Sequence, residues 1–111
     1  MNVYDYAHQL ARAMKDSNEY QEYKRLDEKV KTNSHCESMR DDFTKRQIEI
    51  QSLQMMGEEV DEKKLQELQE LYKVLMQNPL MAEFMHAEFK LSQMMEDIYK
   101  ILGEALNINK E

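Results

Sequence analysis

The sequence predicts an all-α protein, an elongated antiparallel bundle of four to five helices that ends in one long C-terminal helix. The first observation is composition, since only two of 111 residues are Gly and one is Pro, whereas Glu, Lys, Gln, Leu and Met are abundant. The second is that no Gly or Pro falls between Pro79 and Gly103. The third is apolar periodicity in this stretch, whose seven-residue rows mark one continuous helical face.

The last helix is predicted to begin at Asn78, a capping residue, with Pro79 at the first helical position, where no amide donor is needed. Its length, about 29 residues to Leu106, corresponds to roughly 43 Å. We therefore expect it to span the molecule, with shorter helices packed along it. Its apolar rows are Leu80, Ala87, Met94, Ile101 and Ile108; Phe84, Leu91, Ile98 and Ala105; and Met81, Met95 and Leu102, with Glu88 as an acidic exception.

Two shorter amphipathic helices are predicted at the start of the chain. The first runs from Val3 to Lys15, and the cap-forming residues 16–18 end it. The second begins near Glu19. Their inward-facing positions are Tyr4, Ala7, Ala11 and Met14 in the first helix, and Tyr20, Tyr23, Leu26 or Asp27, and Val30 in the second.

Residues 19–56 form either two helices with a break near 32–34 or one continuous helix. Ser34 and Glu37 have the spacing of a capping box, which favours a break. The helical spacing of the apolar residues after 34 falls on polar residues when it is extended back before 32. The apolar face therefore changes position near residues 32–34. One continuous helix of about 38 residues would extend roughly 57 Å. The register of the later part comprises Cys36, Met39, Phe43, Ile50 and Leu53.

The third helix is predicted to end at Gly57 in a left-handed conformation. Asp61 is predicted to cap a fourth helix that continues to Asn78. The short connections at 57–61 and 77–79 favour antiparallel neighbours. The apolar face of the fourth helix comprises Leu65, Leu68, Tyr72 and Leu75.

Length and charge restrict the function classes. A chain of 111 residues is expected to form a single helical domain, 1–111. The net charge of −7 argues against direct nucleic-acid binding, and no apolar run is long enough for membrane insertion. The first residues lack the basic start and apolar core of a signal peptide, and the lone Cys36 has no partner for an internal disulfide. We therefore expect a cytoplasmic protein.

Two sets of residues suggest metal or redox chemistry. Glu83 and His86 form a Glu-x-x-His pair, but di-iron helical bundles need two such motifs and further inward-facing Glu residues. Both residues fall on polar rows of the last helix, which is typical of a solvated face. Cys36 falls on an apolar stripe, and buried thiols are usually inert. We expect a non-catalytic interaction protein without cofactor; the alternative is a small metal-binding or redox protein using Cys36 or Glu83/His86.

The wide apolar surface predicts a homodimer. Three apolar rows on the last helix exceed what one antiparallel neighbour covers. A monomer would then expose a larger patch than soluble monomers usually tolerate, and two-fold pairing is the commonest way to bury it. The residues predicted to form the core or the dimer interface are Ile48, Met55, Met56, Phe84, Leu91, Met94, Met95, Ile98, Ile101 and Leu102.

Several short stretches together resemble the YlbF/YmcA-like family of small bacterial helical proteins, and within it the YheA branch. The resemblance covers nearly the whole chain and rests on turn and packing features rather than on a catalytic signature. The stretches are Asp42-Phe43 with Gln47, Gln54-Met55-Met56-Gly57-Glu58-Glu59-Val60, Asn78-Pro79, Met85-His86-Ala87-Glu88, and Leu91, Met94, Met95 and Ile98.

The resemblance implies a cytosolic, all-helical, dimeric protein without enzymatic activity. Some relatives control competence, sporulation and biofilm formation, and act in a complex that influences messenger-RNA processing by the membrane-anchored endoribonuclease RNase Y. A regulatory adaptor with protein partners is the role this implies. Some of those relatives bind iron–sulfur clusters through cysteines, but this sequence has only Cys36, so that property is not carried over.

Overall fold

The computed structural model describes residues 1–108, and every regular element within that range is an α-helix. The all-α prediction with a long last helix is confirmed, and residues 19–56 form two helices rather than one. The five helices are α1 (Val3–Lys15), α2 (Asn18–Lys31), α3 (Ser34–Met55), α4 (Glu62–Gln77) and α5 (Pro79–Leu106).

Each helix begins at a polar side chain that accepts a hydrogen bond from an amide of the first turn. These amides have no partner within the helix, so the side chain satisfies a donor that would otherwise need water. The predicted caps at Asp61 and Asn78 are confirmed. The five capping residues are Asn2, Ser17, Asn33, Asp61 and Asn78.

The predicted capping box at Ser34 and Glu37 is wrong by one residue. Asn33 is the cap of α3, and its Oδ1 accepts a hydrogen bond from the amide of Cys36 at 3.0 Å. Asn33 has an extended backbone, as a cap requires, and Asn caps a helix at least as well as Ser. Ser34 is therefore the first helical residue, and Glu37 lies one position too far along the helix to complete a box.

Gly57 ends α3 in the left-handed conformation, with φ of +75°, as predicted. Its amide donates to the carbonyl oxygen of Gln54 at 3.0 Å, and the amide of Glu58 donates to the carbonyl oxygen of Leu53 at 3.0 Å. These two bonds form a Schellman motif, which satisfies carbonyls that the helix leaves without a donor. The chain then reverses before Asp61 starts α4.

The α2 helix packs antiparallel on the first half of α5. Glu22 of α2 faces Lys90 of α5, and Arg25, further along α2, faces the earlier residue Glu83. The ring of Tyr23 packs against Phe84, with ring centroids 5.6 Å apart. This helix pair supplies much of the buried core, which comprises Leu26, Val30, Cys36, Phe43, Leu75, Met81, Phe84 and Ala87.

An antiparallel hairpin is formed by α3 and α4, as the short connection predicts. Lys64 Nζ lies 2.9 Å from Glu49 Oε2, and further along the hairpin Arg46 lies 3.5 Å from a carboxylate oxygen of Glu67. Such exposed pairs contribute little to stability. They nevertheless show that the two helices are antiparallel, because Arg46 precedes Glu49 on α3 whereas its partner Glu67 follows Lys64 on α4.

A buried carboxylate joins α2 to α3. Asp27 is only 8% exposed, and its oxygens contact Arg40 of α3 at 2.8 Å and Lys31 at 3.0 Å. The Arg40 guanidinium also lies over the ring of Phe84, 5.6 Å from its centroid. Burial alone would raise the pKa of Asp27, but hydrogen bonds and charges from Lys31 and Arg40 outweigh it and hold that pKa below its ordinary value of 3.8.

The molecule is extended and thin. Its Cα radius of gyration is 17.4 Å, and it measures 50 × 37 × 16 Å. A compact chain of this length would have a radius of gyration of only about 13 Å. A thickness of 16 Å accommodates at most two layers of helices, because packed helices lie about 8–10 Å apart. Several apolar helix faces are therefore left exposed within residues 1–108.

Replacing Gly57 with Val should lower the free energy of unfolding by about 1–2 kcal/mol, because a left-handed backbone disfavours any Cβ and a branched one most of all. A Cβ at this position would meet no atom within 4 Å, so backbone strain alone causes the loss. Gly57→Asn is the matched control, since Asn tolerates this conformation better. Urea unfolding of the two variants measures the difference, and equal stabilities would contradict the assigned turn.

Replacing Asp27 with Asn should destabilise the fold at neutral pH by about 1–3 kcal/mol, because Arg40 and Lys31 lose their ionised partner. The folded pKa of Asp27 lies below the ordinary 3.8, so the carboxylate stabilises the fold above that pH and loses its contribution as the pH falls through the folded pKa. Urea unfolding at neutral and acidic pH should show the two chains converging in acid. Asp41→Asn is the control, because Asp41 also faces Arg40 but is exposed.

Candidate protein-interaction surface

One apolar face runs the whole length of α5, but the chain covers only its first half. Phe84 is 1% exposed beneath α2, whereas Ile101 is 64% exposed. Phe84, Leu91 and Ile98 lie seven residues apart and therefore on the same side of the helix. Since α2 has 14 residues and α5 has 28, α2 is too short to cover both halves.

The second half of α5, from Met94 to Leu106, forms a surface that we call the bare α5 face. Its only fully buried residue is Gly103, which has no side chain to pack. The seven-residue spacing predicted Ile108 on the same face. Ile108 instead lies beyond the end of α5, because Asn107 adopts a left-handed conformation with φ of 57°. The apolar residues of the bare α5 face are Met94, Met95, Ile98, Ile101, Leu102, Ala105 and Leu106.

The apolar side of α1 is also uncovered. The predicted helix is confirmed at both ends, but it has no buried residue. It packs on α2 alone among the described helices. Tyr4 is 73% exposed, and Leu10 is partly exposed. The periodicity therefore identified an amphipathic helix correctly, but its apolar side does not enter the core of its own chain.

The residues predicted as core or interface fall into three groups. Phe84 belongs to the core of the single chain. Leu91, Met94 and Ile98 are half-buried. The remaining six are exposed: Ile48, Met55, Met56, Met95, Ile101 and Leu102. Exposed apolar surface therefore lies both on α5 and at the end of α3. Sequence reasoning did not assign the apolar side of α1 to this surface, although its spacing was visible.

The exposed area of the chain is larger than a compact fold would leave. Its accessible surface is 8740 Å². A compact monomer of this size exposes roughly 6,500 Å². The excess, on the order of 2,000 Å² for one chain, exceeds the ~800 Å² that each partner buries in a standard interface. The extended shape therefore leaves more surface exposed than one partner buries in a standard interface.

The residues considered for metal or redox chemistry do not come together. Cys36 is 1% exposed within the apolar core. Glu83 and His86 are exposed and line a groove between α2 and α5, where Arg25 and Lys90 also lie. Two neighbouring basic groups oppose cation binding there. Within residues 1–108, no group of three or more His, Cys, Asp or Glu side chains is placed to hold a metal ion.

A second groove lies between α3, α4 and α5, and aromatic and methionine side chains line much of it. Phe43 and Tyr72 pack with ring centroids 5.9 Å apart, and Met85 and Phe89 of α5 line the opposite side. Phe89 is 65% exposed. Glu88 borders this groove; burial raises the pKa of its carboxyl, while the charge of Arg40 opposes the shift. No helix in the described part of the chain is long and apolar enough to cross a membrane.

Solved structures with the same fold include three from Bacillus species. A protein of unknown function (DUF964) from Bacillus stearothermophilus superposes with a TM-score of 0.84 at 23% identity, covering 95% of this chain and 92% of that one. The yheA protein of Bacillus subtilis gives 0.71 at 22% identity, covering 96% and 97%. Bacillus subtilis RicA, solved in complex with RicF, gives 0.62 at 19% identity, covering 95% and 93%.

Sequence comparison gives the family. A UPF0342 protein of Symbiobacterium thermophilum is 39% identical over 107 residues, which cover 96% of each chain. Residues 3–107 match the family described as "Control of competence regulator ComK, YlbF/YmcA". This match confirms the resemblance noted from the turn and packing residues. The chain therefore belongs to the YlbF/YmcA family.

Proposed function

We propose that this protein is a non-catalytic cytoplasmic adaptor that forms a homodimer and binds other proteins through its exposed apolar helix faces. The observation that carries the proposal is the bare α5 face, whose apolar residues are half-buried or exposed and continue a face that is fully buried at Phe84 and Ala87. An apolar face of this extent is costly to leave in water, so it indicates a protein partner.

The family supports a regulatory role. Its description names control of a competence regulator, and RicA, which shares the fold, is found in complex with RicF. We propose that this chain likewise acts by binding protein partners, in a process of the kind that the relatives affect: competence, biofilm formation, sporulation or RNase Y-dependent processing of messenger RNA. The excess of acidic residues does not favour direct contact with nucleic acid.

The geometry favours an adaptor over the metal-binding or redox alternative. A reactive thiol needs an accessible, electropositive environment, whereas Cys36 is enclosed among apolar side chains. A metal centre on α5 needs converging ligands, whereas Glu83 and His86 share their groove with two basic groups. The apolar faces, in contrast, have the area and continuity that a protein interface requires.

Light scattering after size exclusion should give twice the monomer mass for the natural chain at micromolar concentration. Ile101→Glu should shift the mass to that of a monomer, because the substitution places an unpaired charge in the interface. Ile101 is 64% exposed in one chain, so the separated variant should keep its helical circular dichroism. The circular dichroism spectrum therefore distinguishes a variant that has lost dimerisation from one that has unfolded.

Gln93→Glu is the matched control, because it adds the same charge on the polar side of α5, where Gln93 donates to Asp97. It should remain dimeric. A monomer mass for the natural chain would overturn the proposed dimer. Equal behaviour of the two variants would show that the second half of α5 is not part of the interface.

A further inference from the structure

We infer that the bare α5 face is covered by α1 of a second copy of this chain, and that the exchange is reciprocal in a two-fold dimer. The inference rests on the proposed function, because it names the occupant of that same surface. It joins two apolar helix faces, each exposed in the single chain, into one interface. Four features of the molecule support it: the corner between α1 and α2, the matched lengths of the two faces, their charges, and the exposed area.

The corner between α1 and α2 holds α1 away from its own α5. Ser17 Oγ donates to the carbonyl oxygen of Met14 at 2.6 Å and accepts from the amide of Tyr20 at 3.1 Å. Gln21 Nε2 donates to the carbonyl oxygen of Lys15 at 2.6 Å. Because α1 makes no packing contact with α5 of its own chain, its apolar side is available to another molecule.

The two uncovered faces match in length. α1 has 13 residues and extends about 20 Å, and the stretch of α5 from Met94 to Leu106 extends the same distance. Both present an apolar arc at helical spacing, so the ridges of one can fill the grooves of the other. On α1 the arc consists of Val3, Tyr4, Ala7, Leu10, Ala11 and Met14.

The charges beside these arcs are complementary. α1 contains Arg12 and Lys15 against a single acidic residue, Asp5. The second half of α5 has the opposite balance, with Glu96, Asp97 and Glu104 against Lys100. Within the described residues of one chain, Arg12 and Lys15 form no ion pair, so their charges are available to a partner. This arrangement reduces repulsion between two chains that each carry a charge of −7.

A reciprocal exchange also accounts for the excess area. Under two-fold symmetry each contact occurs twice, so α1 and the second half of α5 from both protomers form a four-helix interface. The pairing buries all four apolar arcs at once. It requires no change in the α2–α5 core, because that core ends where the bare α5 face begins.

Cysteine cross-linking between two differently tagged full-length chains tests the exchange. One chain carries Leu10→Cys and the other Ile101→Cys, both with Cys36→Ala to remove the native thiol. After the chains are denatured and refolded together, a short bismaleimide should link the two tags as the main product. Gln9→Cys replaces Leu10→Cys in the control, since Gln9 lies on the polar side of α1, and it should give little mixed product.

The outcomes separate this inference from the proposed dimer. Light scattering that shows a dimer without any mixed cross-link would overturn the exchange and leave the dimer intact. Cross-links between two Ile101→Cys chains only would also overturn it, because the α5 halves would then pair directly. A chain with both substitutions that links within one monomer would show α1 covering its own α5. A monomeric natural chain would overturn both proposals.

A second measurement uses charge in place of the cross-link. Leu10→Glu should raise the dimer dissociation constant roughly tenfold or more, since 1.4 kcal/mol of lost interaction corresponds to that factor. Gln9→Glu adds the same charge on the opposite side of α1 and should leave the constant unchanged. Leu10 lies on α1, which has no buried residue, so both variants should unfold at the same urea concentration in dilute solution. Equal dissociation constants would overturn the inference.

Discussion

The helix α5 is twice as long as α2, the helix that covers it, and much of the structure depends on this difference. A single apolar face extends over 28 residues, but α2 contributes only 14. The first half is therefore buried around Phe84, and the second half is left to solvent or to another chain.

Polar contacts determine which surfaces stay uncovered. The buried Asp27 pairs with Arg40 and so ties α2 to α3 beside the core. The hydrogen bonds of Ser17 stabilise the break between α1 and α2, and α1 makes no packing contact with α5. A buried ion pair adds little net stability compared with apolar packing, but it disfavours alternative arrangements in which a charge would lose its partner. These contacts leave the apolar faces of α1 and α5 exposed on a thin, extended molecule.

The sequence predicted the fold well where the signals are local. Gly57, Asp61 and Asn78 act through their own backbone and side-chain geometry, so their residue types identify the helix ends. Asn33 was missed because Ser34 beside it is also a good cap. The burial of Asp27 was left open, since periodicity alone does not distinguish it from Leu26. The family was recognisable from the turn and packing residues, and the family match over residues 3–107 confirms it.

The interaction surface could be predicted only in part, because periodicity gives the direction of a face and not what covers it. Three apolar rows indicated a surface wider than one neighbour covers, yet only the structure shows that the uncovered part is the second half of α5 and that α1 is uncovered too. Hydrogen exchange at two protein concentrations tests most directly whether another chain covers these faces. Amides in 94–106 should become more protected at the higher concentration, while those of the α2–α5 core stay unchanged. If the amides in 94–106 are equally protected at both concentrations and the mass stays that of a monomer, the claim that another chain covers these faces is contradicted.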